Sequence, residues 1–216
     1  MYKKKVNIIA IIMCGGKGTR MKENYQTDKP MIKLGNKRMI EYMIENLINT
    51  KHFLKIVICT SKNTVRTKSF LLKKIKREII DDLEFVETDG DGYSLDLITI
   101  LKKFPNHMLF VISADLPLLS EYEINEILKS CDFRFPCNSI IVEKEFVEGL
   151  GIKPSVSFTY KYKEYCYSGI EIFNPSKIYD FEHEIPERFI VLNQKGIAVN
   201  VNEKSDLEKA KRMLKT

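Results

Sequence analysis

The residues best suited to chemistry are glycines and cations gathered in one stretch, Met13-Cys14-Gly15-Gly16-Lys17-Gly18-Thr19-Arg20-Met21, with Lys29-Pro30 a little further on. Ahead of it, residues 6–13 form an Ile-rich apolar run bounded by turn formers, which reads as a buried strand. Three glycines let the backbone turn sharply with successive N–H groups aimed at one spot, an anion-binding nest. Lys17, Arg20 and Lys29 add positive charge, and Arg20 can grip phosphate oxygens bidentately where a lysine acts as a point charge. The stretch therefore reads as a triphosphate cradle. Its spacing is neither G-x-x-x-x-G-K-[ST] nor G-x-G-x-x-G, so the Walker and dinucleotide readings lose their main support. Taken alone, a glycine-rich turn is as readily steric as functional.

Asp115 is the second chemical candidate. It follows the apolar run 108–113 in Ser113-Ala114-Asp115-Leu116-Pro117. A carboxylate just past a strand end can hold Mg²⁺ against phosphate oxygens, or serve as an Asx-type turn residue before Pro117. Thr88-Asp89-Gly90-Asp91-Gly92-Tyr93 reads as a loop, with Tyr93 placed either to stack on a base or to pack beneath it. His52, His107 and His183 stand singly, so no histidine-based catalytic set is suggested.

These residues need elements to position them, and the chain alternates strand and helix. Residues 39–48 carry Ile40, Met43, Ile44 and Leu47 at helical spacing, and residues 54–60 return to a β-rich run. An amphipathic segment over 63–80, a short strand over 83–86, a helix over 94–103 and a strand over 108–113 follow. Ser120 to Glu123 forms a capping box opening a helix to about Lys129. The rhythm predicts an α/β fold, Rossmann-like, with a mostly parallel (mixed) sheet and helices on both faces. Ligands of such sheets bind beyond the carboxyl ends of the strands, where the cradle and Asp115 both fall. Residues 196–201 read as a further strand, and Ser205 to Glu208 as a second capping box that leaves Asn202 free to act. Tyr160, Tyr162, Tyr165 and Tyr167 suit a half-buried strand face.

At 216 residues, a single domain over 1–216 is expected, with a small antiparallel excursion at about 145–173 over an acceptor pocket. A hydrophobic fraction of 44% with 30% charged residues is that of an ordinary globular chain. The net charge of +6 suits an acidic, phosphorylated substrate better than nucleic acid, because the lysines are scattered and Lys73, Lys74, Lys76 and Arg77 look like a solvated helix face. No run reaches the roughly 20 apolar residues of a membrane helix. The basic start mimics a secretion signal, but cleavage there would destroy the cradle, so a cytoplasmic protein is expected. Five cysteines without C-x-x-C suggest neither disulfides nor zinc, although Cys14, on a cationic loop, is a candidate reactive thiol. Oligomeric state is not readable.

The first loop resembles the signature of nucleotidyltransferases that activate sugar phosphates and related compounds: small-Gly-Gly-x-Gly-Thr-Arg-Met, then Lys-Pro. Within that group the chain is most similar to the archaeal adenosylcobinamide-phosphate guanylyltransferases. The likeness extends through Thr60-Ser61-Lys62-Asn63-Thr64, Thr88-x-Gly90-x-Gly92-Tyr93-x-x-Asp96-Leu97, Pro154-Ser155, Gly169-Ile170 and Asn200-Val201-Asn202 before Asp206-Leu207. It implies the nucleotidyltransferase fold and transfer of GMP from GTP to a phosphorylated corrinoid, with Mg²⁺ as cofactor. Cys14, Gly15, Gly16, Lys17, Gly18, Thr19, Gly90, Gly92, Tyr93 and Asp96 would then bind nucleotide, with Asp96 able to accept from a guanine edge. Arg20, Lys29 and Asp115 would be catalytic, Asp115 and Asn202 would hold metal, and Pro154, Ser155 and Gly169 would bind the acceptor. The long 20–29 loop and the 161–167 insertion depart from the pattern and leave the acceptor more open than the chemistry. Other acceptors, a sugar 1-phosphate or the molybdenum cofactor, stay in view, as does a nucleotide sensor without turnover.

Overall fold

The computed structural model describes residues 7–16, 21, 25–78, 83–154 and 156–214. In chain order the elements are β1 (Ile8–Met13), the hairpin β2 (Lys33–Leu34) and β3 (Lys37–Arg38), α1 (Met39–Thr50), β4 (Phe53–Ser61) and α2 (Val65–Glu78). Then come β5 (Leu83–Thr88), α3 (Tyr93–Lys103), β6 (Met108–Ser113), α4 (Glu121–Ser130), β7 (Cys137–Glu143) and α5 (Lys144–Gly149). The remainder is β8 (Ser157–Tyr160), β9 (Lys163–Phe173), β10 (Glu187–Val191), α6 (Lys195–Ala198) and α7 (Lys204–Met213).

One sheet runs β10-β7-β9-β6-β1-β4-β5, with β8 bonded to β9. Its strands are parallel except β9, which runs antiparallel to both β6 and β7, and β8, which pairs antiparallel with β9. Every residue of β1 is buried, as a central strand covered on both faces requires. Ile8, Ala10 and Ile12 join a core beneath α1, α2, α4 and α7; Ile9, Ile11 and Met13 join a second core beneath α3. Each fully buried Ile contributes about 1.5–3 kcal/mol by leaving water, so the central strand is held firmly from both sides. Lys51, at φ +54°, ends α1 in the left-handed region and turns the chain into β4.

β1 pairs with β4 on one side and β6 on the other, so the chain's direction of winding reverses between β1 and β6. Met13 lies level with Ser113 across this switch. The ends of β1 and β6 thereby open one crevice, the place where open α/β sheets bind ligands.

Three sequence expectations change. Residues 196–201 are not a strand: α6 occupies Lys195–Ala198, because Gly196 is pressed against α4, its N–H donating to Glu123 Oε1 at 2.7 Å. A Cβ on Gly196 would stand 2.0 Å from Glu123 Oε2. The last helix is capped by Glu203, not Ser205, with Asp206 completing the box. β9, Lys163–Phe173, falls within the span where an antiparallel excursion is expected and lies between β6 and β7 in the main sheet. The Ser120 capping box stands as expected. Lys74, expected on a solvated face, reaches Glu41 of α1 at 2.8 Å.

Candidate active site

Asp115 sits two residues past the end of β6, and its carboxylate accepts from Lys29 Nζ at 2.6 Å. The same ammonium donates to Asn202 Oδ1 at 2.8 Å. Three residues separated by up to 173 positions therefore converge on one point. Burial opposes the charge of Asp115, but the Lys29 ammonium and hydrogen bonds from Ser113 and Asn200 outweigh it and hold the carboxyl below its usual range. The group stays ionised at neutral pH.

Local structure explains why each side chain is where it is. Lys29 opens a single 3-10 turn, Lys29–Met31, with Pro30 fixing the backbone. The residue before it, Asp28, is buried and accepts from Thr67 of α2 through both backbone N–H (2.8 Å) and hydroxyl (3.0 Å). That clamp delivers the lysine. On the far side, the Val201 N–H donates to the Asp115 carbonyl at 2.9 Å, splicing the C-terminal segment to the end of β6. Asn200 Nδ2 bridges Ser168 O (3.0 Å) and Asp115 Oδ1 (3.3 Å). Asn202 is anchored by its N–H donating to Asp206 Oδ2 at 3.0 Å.

A central cavity of about 230 Å³, lined by Cys14, Gly16, Lys29, Asp115 and Asn202 among others, surrounds this point. Beside it, Gly15, Gly16, Gly90, Gly92, Tyr93 and Asp96 line a cavity of about 390 Å³. On the opposite side is a third, also about 390 Å³, with apolar walls from Val142, Val147, Ile152 and Ile197 and with Pro154 and Gly169 at its edge. Asp115 and Asn202 line both the central and the third cavity.

A clasp holds the Gly15 and Gly90 loops together. Ser61 Oγ donates to the Gly15 carbonyl at 2.8 Å, and Asn63 Nδ2 donates to the carbonyls of Gly15 and Gly90 at 3.2 Å each. Asp96 braces the same junction: Oδ1 accepts from the Gly90 N–H at 3.1 Å, and Oδ2 lies 2.8 Å from where a Cβ on Gly15 would be. Gly169, at φ +79°, lets β9 pass 3.1 Å from Ser113 Cβ, measured from the Cβ it lacks.

The structure thus brings together Lys29, Asp115 and Asn202, places Cys14 and Gly16 beside them, and groups Gly15, Gly90, Gly92, Tyr93 and Asp96 next door. Lys17, Gly18, Thr19, Arg20 and Ser155 lie outside the described residues. One expectation is corrected: Cys14 is not an exposed reactive thiol, being buried, with burial pushing its thiol well above the ordinary range. Its N–H is also committed, donating to the Cys59 carbonyl at 2.9 Å. Sequence reasoning missed Asp28 and Asn200, whose partners lie tens of residues away, and Ser113, whose hydrogen bond to Asp115 depends on the turn after β6. Ser61, the last residue of β4, and Asn63 just past it stand at a strand end, where ligands of such sheets bind, but nothing in their local sequence marks a role beyond the resemblance.

Glu171 of β9 is a further unforeseen feature. Burial, helped by the Glu187 carboxylate and only partly offset by the Tyr93 hydroxyl, raises its carboxyl to about 7. The folded chain keeps this proton over a range where an unfolded chain, near 4.5, has lost it. Its contribution to stability is therefore full below about pH 4.5 and lost as pH rises through about 7. Glu171→Gln is expected to flatten the fall in Tm between about pH 5 and 8 in thermal scans, and an unchanged slope would refute the shift.

Among the described residues no helix is long and apolar enough to cross a membrane. Likeness to known proteins agrees with this architecture. Adenosylcobinamide-phosphate guanylyltransferase of Methanocaldococcus jannaschii is 32% identical over 214 residues, covering 95% of this chain and 97% of that protein. Molybdenum cofactor guanylyltransferase of Campylobacter jejuni is 28% identical over 208 residues, covering 95% and 96%. The solved 4-diphosphocytidyl-2C-methyl-D-erythritol synthase of Anaerococcus prevotii superposes with a TM-score of 0.67 at 15% identity, covering 98% and 97%. CMP:2-keto-3-deoxy-manno-octonic acid synthetase in complex with CTP gives 0.65 at 14%, covering 98% and 99%. At such identities the structural likeness speaks for the fold, which is the nucleotidyltransferase fold. A profile of the MobA-like NTP transferase domain matches residues 10–149, and the chain belongs to that family of nucleotidyltransferases.

Proposed function

We propose that this protein is a guanylyltransferase that moves GMP from GTP onto adenosylcobinamide phosphate, releasing pyrophosphate and forming adenosylcobinamide-GDP. The observation that carries the reading is the Lys29–Asp115–Asn202 convergence at the crevice between two cavities, each suited to one substrate. The acceptor is taken from the full-length relative.

GTP would lie with its base toward Gly90, Gly92, Tyr93 and Asp96 and its phosphates over Gly15 and Gly16, continuing to Lys17, Gly18, Thr19 and Arg20. The acceptor would fill the apolar third cavity with its phosphate toward Asp115, past Pro154, Ser155 and Gly169. An acceptor phosphate oxygen then attacks the α-phosphorus in line; the new P–O bond forms as the α–β bridging bond breaks, and pyrophosphate carries away that electron pair. Lys29 offsets charge at the reacting phosphoryl, and the loop amides with Arg20 hold the leaving group. No general base is needed, since the attacking phosphate is already ionised.

The residues fit Mg²⁺. Asp115 and Asn202 turn two hard oxygen donors toward one point, marked by the ammonium that both contact, and a single carboxylate suits an ion that keeps several waters and binds phosphates. Bound there, it would supply charge neutralisation on the phosphates. All five cysteines are free, in keeping with a reducing cytoplasm as the place of action. Nucleic acid and membrane are not among its partners on this reading.

The test is pyrophosphate release by the purified protein with Mg²⁺, each of four nucleoside triphosphates being paired with adenosylcobinamide phosphate, molybdenum cofactor and sugar 1-phosphates. Release is expected with GTP and the corrinoid. Release with molybdenum cofactor instead would favour the reading suggested by the Campylobacter relative, and GTP binding without turnover of any acceptor would make the protein a sensor.

A further inference from the structure

Tyr93 and Ser113 are the two residues that line both the Gly90-side cavity and the apolar third cavity. Ser113 is fixed by its place at the end of β6. Tyr93 is not so fixed: it is the first residue of α3, it follows two glycines of positive φ, Gly90 and Gly92, and it is 44% exposed. Its hydroxyl, however, donates to Glu171 Oε2 at 2.5 Å. Glu171 is a rigid post, level with Val111 on β6 and with Ser139 on β7, so the sheet holds it from both sides. It is also an odd residue for its surroundings. The same sheet face carries Val111, Cys137 and Phe173 in an apolar core, and a carboxyl there costs free energy that an aliphatic residue would not.

From this geometry we infer that Glu171 is a positioning residue: it ties down the Tyr93 ring as the shared wall between the nucleotide and acceptor cavities. The inference rests on the assignment of those two cavities given above. Released from Glu171, the ring can turn about its side-chain torsions into either cavity, so both substrates bind less well, while the reacting groups at Lys29 and Asp115 are untouched. Glu171 also stands two residues from Gly169 at the edge of the acceptor cavity, so the tie joins the loop that meets the base to the strand that meets the acceptor.

The experiment compares Tyr93→Phe, Glu171→Leu, their double variant and Glu171→Gln with the parent. The first two should each raise KM for GTP and for the acceptor by about tenfold, the upper end of what one hydrogen bond contributes, with kcat within about twofold. The double variant should be no worse than either single change, because one contact is being removed. Glu171→Gln, whose amide oxygen still accepts from the hydroxyl, should restore both KM values. Multiplicative effects, unchanged KM, or a fall in kcat alone would overturn the inference. Tyr93→Phe removes one oxygen atom and carries the test should Glu171→Leu fail to fold. If the parent turns over no acceptor, the functional reading fails separately, and calorimetric GTP binding decides the tie: about tenfold weaker binding in Tyr93→Phe supports it, and equal affinity refutes it.

Discussion

Asp115→Ala is expected to lower kcat on the order of 10³-fold, the scale on which one preorganised charge partner acts at a reacting centre. The change should leave the fold in place. Asp115 belongs to neither apolar core; of the groups its carboxylate meets, Lys29, 18% exposed, retains Asn202 Oδ1 and Asn200 retains Ser168 O as partners. The backbone bond from the Val201 N–H to the Asp115 carbonyl does not depend on the side chain. Asp115→Asn, isosteric but uncharged, should be nearly as inactive, because the charge rather than the shape is lost. The check is pyrophosphate release alongside a thermal melt. Near-parental turnover in either variant would remove Asp115 from the chemistry, and a collapsed melt would make its role structural.

Gly90→Ala is expected to weaken GTP binding by more than about tenfold and to lower Tm by several degrees. Two causes add. Alanine at φ +72° costs about 1–2 kcal/mol in the left-handed region. Its Cβ would also stand 2.6 Å from Ser61 Oγ and 2.7 Å from Asn63 Nδ2, the two groups that clasp the Gly15 loop to the Gly90 loop. Something must move, and what moves is the wall of the nucleotide cavity. Gly16→Ala provides the contrast, since an added Cβ there meets nothing within 4 Å and needs no positive φ. Its Tm should match the parent. Equal GTP affinity in parent and Gly90→Ala, read by calorimetry, would detach this loop from the nucleotide.

Much of the site was legible because its chemistry sits directly after strands. The apolar run of β1 followed by glycines, and that of β6 followed by Asp115, are local patterns. Lys29 was legible through its neighbour Pro30. The clamp that delivers it was not, since an aspartate in a loop does not reveal that Thr67 waits in a helix 39 positions on. Cys14 was misjudged for a related reason: flanking residues describe the loop, not the core residues that cover it. Antiparallel pairing was expected at about 145–173, but the place of β9 between β6 and β7 was not legible, because strand order is set by long-range pairing rather than by local composition. Residues 196–201 had strand composition, but tertiary contact between Gly196 and Glu123 set a helical turn. Ser205 satisfied the usual capping preference, yet Glu203 with Asp206 won the position two residues earlier, where Asp206 also holds the Asn202 backbone.

The splice between Val201 and Asp115 has a consequence for how the protein comes into being. The part matched by the family profile ends at residue 149, but Asn200 and Asn202 reach the site from about fifty residues beyond it. On a ribosome adding about 5–20 residues per second, the glycine loop, Lys29 and Asp115 emerge well before their closing partners. On the proposed function, the nucleotide side can therefore take shape while the acceptor side still lacks Asn200 and Asn202. Turnover on that reading waits on residues 200–202, whereas the groups that meet the nucleotide are already made.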